Sequence, residues 1–518
     1  MPTEITSFFT RTDGFLTMPM IMLTMFALGI MVIDVLLPKE DKRAHAVAAL
    51  IGIGMSALAL WRIQGGHVPL LHDRGSFVGS FAYILGGLGA MRMDAFSVYF
   101  SYLFLLGAAI AILMSVRYLE IEREHHGEFY ALILFSVVGM MCMTAGYDLV
   151  LLFIGLELMA LSTYVLVGFL RRDKRSNEAA LKYFLLGAFS SGIFAYGLSL
   201  FYGLTGSTNL AVISQKLTEH MAAHPKDPVA IFALLATAVG LLFKIAAVPF
   251  HQWAPDAYEG APTSITGFMS VAAKAAAWAM LLRIFLYGLP AMRPMYVPLL
   301  TFVAIATLVA GNLAALTQSN LKRLLAYSSI SHVGYMLLGL VAGTATETNT
   351  TGIRGILIYL LVYTFMNLGA FAVITSLRRR EIIGDEIDDI SGLFFKAPVE
   401  AMLMMVFLLS LAGIPPLAGF WGKYFIFLAL IESGKYTIAV VAVLFAVVAL
   451  YYYARIFNQM FMKTEVDSEP VAAGISMRLA LAITGIGTLV IGLLPNSAIR
   501  AVEWSIPAAA NTIANLMK

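Results

Sequence analysis

A single cysteine, Cys142, stands in 518 residues, and it lies inside an apolar run. One thiol can neither close a disulfide within the chain nor supply the thiolate set of an iron–sulfur cluster. Charge is almost as scarce. Asp, Glu, Lys and Arg make up 13% of the chain, about half the share of an ordinary soluble domain. The formal net charge is only +3, and with no basic tail or RNA-type motif no nucleic-acid partner is expected. No Gly-x-Gly-x-x-Gly follows a strand-like run and no Walker A sequence is present, so this chain alone is not expected to oxidise a dinucleotide or hydrolyse ATP. His45, His125 and His126 have no acid or cysteine at metal-ligand spacing, and no metal site is expected. The N-terminus lacks a basic region followed by a small-residue cleavage site, so the first apolar span is expected to act as its own insertion signal.

What the chain does have is apolar length. Hydrophobic residues make up 60% of it and the mean hydropathy is +0.84, the composition of an all-α polytopic membrane protein. A crossing takes about 20 apolar residues. On that rule fourteen spans are expected, at 18–37, 44–63, 94–116, 128–146, 147–170, 178–203, 228–258, 262–288, 296–318, 322–343, 353–377, 397–432, 436–461 and 476–495. Spans seven and twelve are too long for one straight crossing and both contain prolines, which predicts helices broken in the middle. The polar connection 64–93 carries turn signals and is expected to form a small hairpin. The segment 497–518 is apolar enough to lie on the membrane surface. Loops after odd-numbered spans hold eighteen lysines and arginines against eleven on the other face, which predicts that the first set is cytoplasmic and both termini periplasmic.

The stretch Val239 to Phe285 organises the rest: VGLLFKIAAVPFHQWAPDAYEGAPTSITGFMSVAAKAAAWAMLLRIF. An apolar run carries Lys244, breaks at Pro249, continues through polar residues, and resumes in a second run carrying Lys274. A charged lysine at the bilayer centre costs roughly 2.5–3.5 kcal/mol on insertion scales, and a broken helix at that depth must be buried in protein or line a wet cavity. Two such lysines in successive spans, one beside a break, point to an ion path, and broken helices are also how transporters build their sites. The order FK…VPFHQWAPDAYEGAPTSIT…SVAAKAA resembles the antiporter-like proton-channel subunits of respiratory complex I, and in detail the subunit N group among them. The resemblance covers essentially the whole chain, with Ser264 standing where a proline is expected.

Five residues are the candidates for proton transfer. Glu157 lies midway along span five. Burial disfavours a charged lysine and a nearby carboxylate favours it, so moving Glu157 and Lys244 together or apart would load or release a proton. In the relatives implied by the resemblance, the matching glutamate and lysine hold those roles. Lys274 sits among alanines, about twelve residues into its span, too deep to reach an interface easily. His332, in AYSSISHVGYML, has serines around it and an unperturbed pKa suited to a relay; the resemblance places it on a central hydrophilic axis. Lys423 follows the GlyIleProPro break of span twelve and is expected to close the route to the opposite side. Lys182 and the pair Asp256 and Glu259 carry no assigned role, and Arg283 is expected to snorkel to an interface.

Spans four to eight and nine to thirteen would form two five-helix units of opposite topology, the inverted repeat for which the resembled family is known. The expected divisions are 1–127, 128–288, 296–461 and 462–518 of one membrane domain. The resemblance implies a proton-translocating subunit in a bacterial inner membrane, coupled to quinone reduction in partner chains. FMN, iron–sulfur clusters and quinone would belong to those partners, with no cofactor in this chain. A second antiporter-like subunit and small membrane subunits would be its neighbours. Two other readings use the same residues: a subunit of a multi-subunit sodium/proton antiporter, and a non-conducting scaffold of the membrane arm.

Overall fold

The computed structural model describes residues 11–36, 43–64, 82–85, 89–344, 350–378, 384–463 and 474–506. Within them, lipid leaves little choice of secondary structure, because an apolar span must satisfy its backbone internally. The spans are helices α1 (Met18–Leu36), α2 (Arg43–Gln64), α3 (Ala95–Glu122), α4 (Gly127–Ala145), α5 (Leu149–Val167) and α6 (Lys174–Thr205). The broken seventh is α7a (Pro228–Ile245) and α7b (Trp253–Gly260). Then follow α8 (Thr263–Gly288), α9 (Pro290–Leu316), α10 (Leu321–Gly343) and α11 (Thr351–Leu377). The broken twelfth is α12a (Pro398–Ala412) and α12b (Ala418–Glu432), before α13 (Tyr436–Met462) and α14 (Ile475–Leu493). Thirteen helices are long and apolar enough to cross a membrane. The two halves of the twelfth supply the remaining span.

Polar N-caps mark where several of these helices begin. Asp94, Asp148, Asp173, Asp227 and Asn320 each accept a hydrogen bond from a free first-turn amide of α3, α5, α6, α7a and α10, a contact worth about 1 kcal/mol. Asp94 ends the expected hairpin. Strand β1 (Ala82–Leu85) pairs antiparallel with β2 (Met91–Asp94), with Ala82 opposite Asp94. Residues 65–81 and 86–88 of that connection fall outside the described residues. A short helix, Leu210–Ala223, follows α6 and buries Leu210, Ile213, Leu217 and Met221 on one side; no element is expected there from hydropathy, since its other face is polar. His220 reaches from it to Asp227 at 2.8 Å, and that hydrogen bond holds the Asp227 carboxyl below its ordinary value. Of the surface segment expected at 497–518, Pro495–Ser505 is a helix with Ala498 and Val502 buried, and 507–518 lie outside the described residues.

The internal repeat is legible in the packing. α4 lies along α5 and α9 along α10, the two most extensive helix pairs. At Gly139 a side chain would meet the Met159 amide at 2.6 Å, and at Gly311 it would meet the Ser331 amide at the same distance. Only glycine allows backbones that close. The N-caps of α5 and α10 repeat as well: Asp148 bridges to Asn209, and Asn320 to Glu386. Each of these three pairs (139 and 311, 159 and 331, 148 and 320) stands 172 positions apart, so Glu157 of the first unit corresponds to Ser329 of the second. α6 packs against both halves of the broken seventh helix, as α11 does against both halves of the twelfth.

Candidate functional site

α8, α10 and α11 form the interior, with 94%, 94% and 89% of their apolar windows buried, against 28% for the peripheral α1 and α13. The candidate residues lie on or against these buried helices. α7a ends at Ala246, a left-handed residue, and α12a ends at Gly413, also left-handed. The chain leaves the helix at these points because Pro249, Pro415 and Pro416 cannot continue it. Both Val248–Pro249 and Pro415–Pro416 are cis.

The two breaks hold their lysines from opposite sides. Lys244 belongs to the last turn of α7a. Lys423 lies beyond its break, in α12b, and reaches back to the end of α12a, donating to the Leu411 carbonyl at 3.1 Å and the Ala412 carbonyl at 2.7 Å. The Lys423 ammonium therefore sits at the C-terminal end of the first half-helix, where unpaired carbonyls and the helix dipole favour positive charge, and Lys244 stands in the last turn of its own first half-helix. Each also lies over a tyrosine of its own unit, from the helix two spans earlier. Lys244 Nζ is 5.1 Å from the Tyr164 ring centre and Lys423 Nζ 5.0 Å from that of Tyr335.

Glu157 and Lys244 are not in direct contact in this structure. Lys244 donates instead to the Tyr164 hydroxyl at 3.3 Å. Glu157 Oε1 is buried and has no hydrogen-bond partner among the described residues. The two still share a layer of the bundle. Phe153 stacks on Phe194 and Tyr164 meets Phe184 across antiparallel α5 and α6, which sets Glu157 opposite Ser190 and Ser191. Phe194 lies against Gly240 and Thr237 against Gly197, which sets those serines opposite Lys244. The carboxylate shares this layer with the ammonium without touching it.

Lys274, His332 and Lys423 do come together. Lys274 Nζ donates to Ser329 Oγ at 2.6 Å and lies 5.5 Å from the Tyr258 ring centre. A π-helical turn, Met269–Ala273, immediately precedes it, the kind of irregularity that recurs at functional positions. His332 contacts the Tyr359 hydroxyl through Nδ1 at 2.5 Å and that of Tyr453 through Nε2 at 3.2 Å. Tyr453 continues to Ser328 at 2.5 Å. Lys423 reaches the group through Tyr335, whose ring lies 6.4 Å from that of His332. α7b joins this group to Lys244: its Tyr258 lies under Lys274, while its Trp253 donates to the Phe243 carbonyl beside Lys244.

A family profile described as NADH:quinone oxidoreductase/Mrp antiporter, TM matches residues 146–449, which include all five candidates. NADH-quinone oxidoreductase subunit N 1 of Koribacter versatilis is 64% identical over 97% of each chain. The chain belongs to the subunit N family of NADH-quinone oxidoreductase. A chain of respiratory complex I from Thermus thermophilus superposes on this subunit N family member with TM-score 0.75 and 33% identity, over 93% of this chain and 99% of that one. A chain of the Mrp complex from Dietzia shares the fold, with TM-score 0.81 at 20% identity over 98% and 100%.

Several residues that complete the site carry no signal in hydropathy. Tyr164, Tyr258, Tyr359 and Tyr453 read as ordinary aromatics of apolar spans, although the spacing Tyr359–Tyr363 puts two hydroxyls on one helical face. Arg283 is a correction. Far from snorkelling, it is fully buried and bidentate to Asp94 at 2.5 and 2.8 Å, with a third bond to the Thr144 carbonyl. Lys182 is half-exposed and pairs with Glu178 and Asp256, while Arg323 pairs with Asp256 and Glu259. These charges line a surface cavity of about 250 Å³ with Arg175, apart from the buried chain. Among the described residues, no three His, Cys, Asp or Glu side chains gather as a metal would require.

Proposed function

We propose that this chain moves protons across a bacterial inner membrane as a non-redox subunit of NADH:quinone oxidoreductase, driven by quinone reduction in partner subunits. The observation that carries the reading is how its buried cations are held. Arg283, which cannot readily lose its proton, is locked onto a carboxylate. Lys244, Lys274 and Lys423 are 5%, 3% and 4% exposed and rest on hydroxyls, carbonyls and rings, with no carboxylate in contact among the described residues. A fixed charge in such surroundings needs a permanent partner. A carrier must exist in both protonation states, and neutral partners let it. FMN, iron–sulfur clusters and quinone belong on this reading to partner chains, alongside a second antiporter-like subunit and small membrane subunits. The test is proton uptake by vesicles containing the whole complex, with Lys274→Ala as the variant: pumping should fall while assembly persists. Retained pumping would favour a scaffold, and sodium movement without quinone reduction an antiporter.

Glu157 should act through Lys244. Glu157→Gln is expected to lower turnover several-fold, roughly the loss of one close charge interaction, and Glu157→Asp to preserve most of it. Combining Glu157→Gln with Lys244→Ala should cost little more than Lys244→Ala alone. Fully additive losses in assembled complex would place the two residues in separate steps. Orientation has its own check, resting on the distribution of lysine and arginine between loops. A reporter fused after Lys518 should be periplasmic and one inserted at 171–175 cytoplasmic; cytoplasmic activity of the C-terminal fusion would overturn the arrangement.

A further inference from the structure

α5 presents two groups of different kind to the layer that holds Lys244. Tyr164 is in contact with the ammonium, through its hydroxyl at 3.3 Å and the face of its ring. Glu157, seven residues earlier and so about 10 Å down the helix axis, is not in contact, and one of its oxygens is buried without a hydrogen-bond partner among the described residues. Tyr164 leans back toward that layer, since helical side chains point to the N-terminus. The phenol reaches its place only because residue 187 on α6 is glycine: a Cβ there would lie 2.7 Å from Tyr164 Cζ, and closer still to the hydroxyl. The sequence has thus made room for this hydroxyl beside a lysine that has a carboxylate in its own layer.

We infer that Tyr164 is a positioning residue that seats the Lys244 ammonium away from Glu157, so that α5 offers the lysine two alternative seats, a phenol and a carboxylate. This rests on Lys244 as a proton carrier. The phenol keeps its own proton throughout and serves only as acceptor and ring; the lysine moves between seats. On the carboxylate its charged form is held strongly, and on the phenol weakly, so the choice of seat sets how readily the proton passes on. The second unit offers a partial comparison. Lys423 lies over Tyr335 as Lys244 lies over Tyr164, although it arrives from the other side of its break. The position matching Glu157 there is Ser329, which is engaged by Lys274. Tyr335 stands one position off the register of Tyr164 and its hydroxyl donates to the Ala442 carbonyl, so only the ring contact recurs, and the hydroxyl seat, like the carboxylate seat, belongs to the first unit.

The experiment uses the intact complex in sealed vesicles, comparing Tyr164→Phe, Gly187→Ala and Lys244→Ala. Tyr164→Phe keeps the ring and removes one oxygen, so assembly should be unaffected. Coupled turnover is expected to fall roughly three- to tenfold, the effect of one hydrogen bond to a charged group, and the pH profile of turnover should be displaced. Gly187→Ala should act in the same direction by pushing the hydroxyl aside while leaving Tyr164 in the sequence. A wild-type rate and superimposable pH profile for Tyr164→Phe, with Lys244→Ala inactive, would overturn the seat and leave the carrier reading standing. Normal pumping by Lys244→Ala would overturn the carrier reading itself. A rate loss in Tyr164→Phe with an unmoved pH profile would assign the tyrosine to packing and likewise overturn the seat.

Discussion

Lys244→Ala is expected to lower proton pumping and coupled quinone reduction by roughly a hundredfold, the lower end of what a positioned proton-transfer group contributes. The substitution removes the cation in the last turn of α7a, the group that Glu157 is expected to tune. Lys244→Arg should keep part of both activities. Arginine preserves the positive charge in the layer of Glu157, so the local field survives, but it does not readily give up its proton. Its five donors are also poorly served where the lysine uses a single hydroxyl, that of Tyr164. The measurement is acidification of vesicles during NADH oxidation, normalised to assembled complex. Full activity with arginine would make Lys244 a fixed countercharge, and the proton route would have to run elsewhere.

The positions of the spans were legible because lipid imposes length and polarity on each one. The two breaks were legible because proline at membrane depth needs a special setting. Lys244, Lys274 and Lys423 stood out for the same reason: a cation inside an apolar run is costly and therefore conspicuous. Their partners were not. Tyr164 and Tyr453 come from helices distant in sequence, and a tyrosine in an apolar span looks like any other aromatic until the hydroxyl's neighbour is known. The sequence also shows Lys244 before its break and Lys423 after it. The fold reconciles them: Lys423 reaches back to the last carbonyls of α12a, while Lys244 already stands in the last turn of α7a. No linear pattern reports that convergence.

Arg283 shows the reverse failure. Its position near the end of a span suggested a side chain reaching for water, since a lone arginine there is cheapest at an interface. What decides its fate is Asp94, 189 positions away, at the junction of a hairpin and α3. The sequence shows both charges and nothing that joins them. The helix around Arg283 is π-helical, Arg283–Gly288, and that local irregularity accompanies the turn of the guanidinium into the protein.

Asp94→Asn is expected to be among the most destabilising single substitutions in the chain, by about 3–5 kcal/mol, because it leaves buried charge uncompensated. Asp94 serves two guanidiniums: Arg283, completely buried, and Arg92 at 3.2 Å with its side chain 10% exposed. It also caps α3 by accepting from the Ser97 amide at 2.9 Å. Asparagine can keep the cap, so the loss isolates the charge. Arg283→Met should cost less, since Asp94 then retains Arg92 as its partner. The double substitution Asp94→Asn with Arg283→Met should recover part of the single loss, because only Arg92, nearest the surface, remains unbalanced. The order predicted is therefore wild type, Arg283→Met, the double variant and Asp94→Asn, from most to least stable, read from thermal loss of the folded subunit in mild detergent. If Asp94→Asn melts with the wild type, the pair does not hold this end of the bundle, and its burial must be explained by something other than stability.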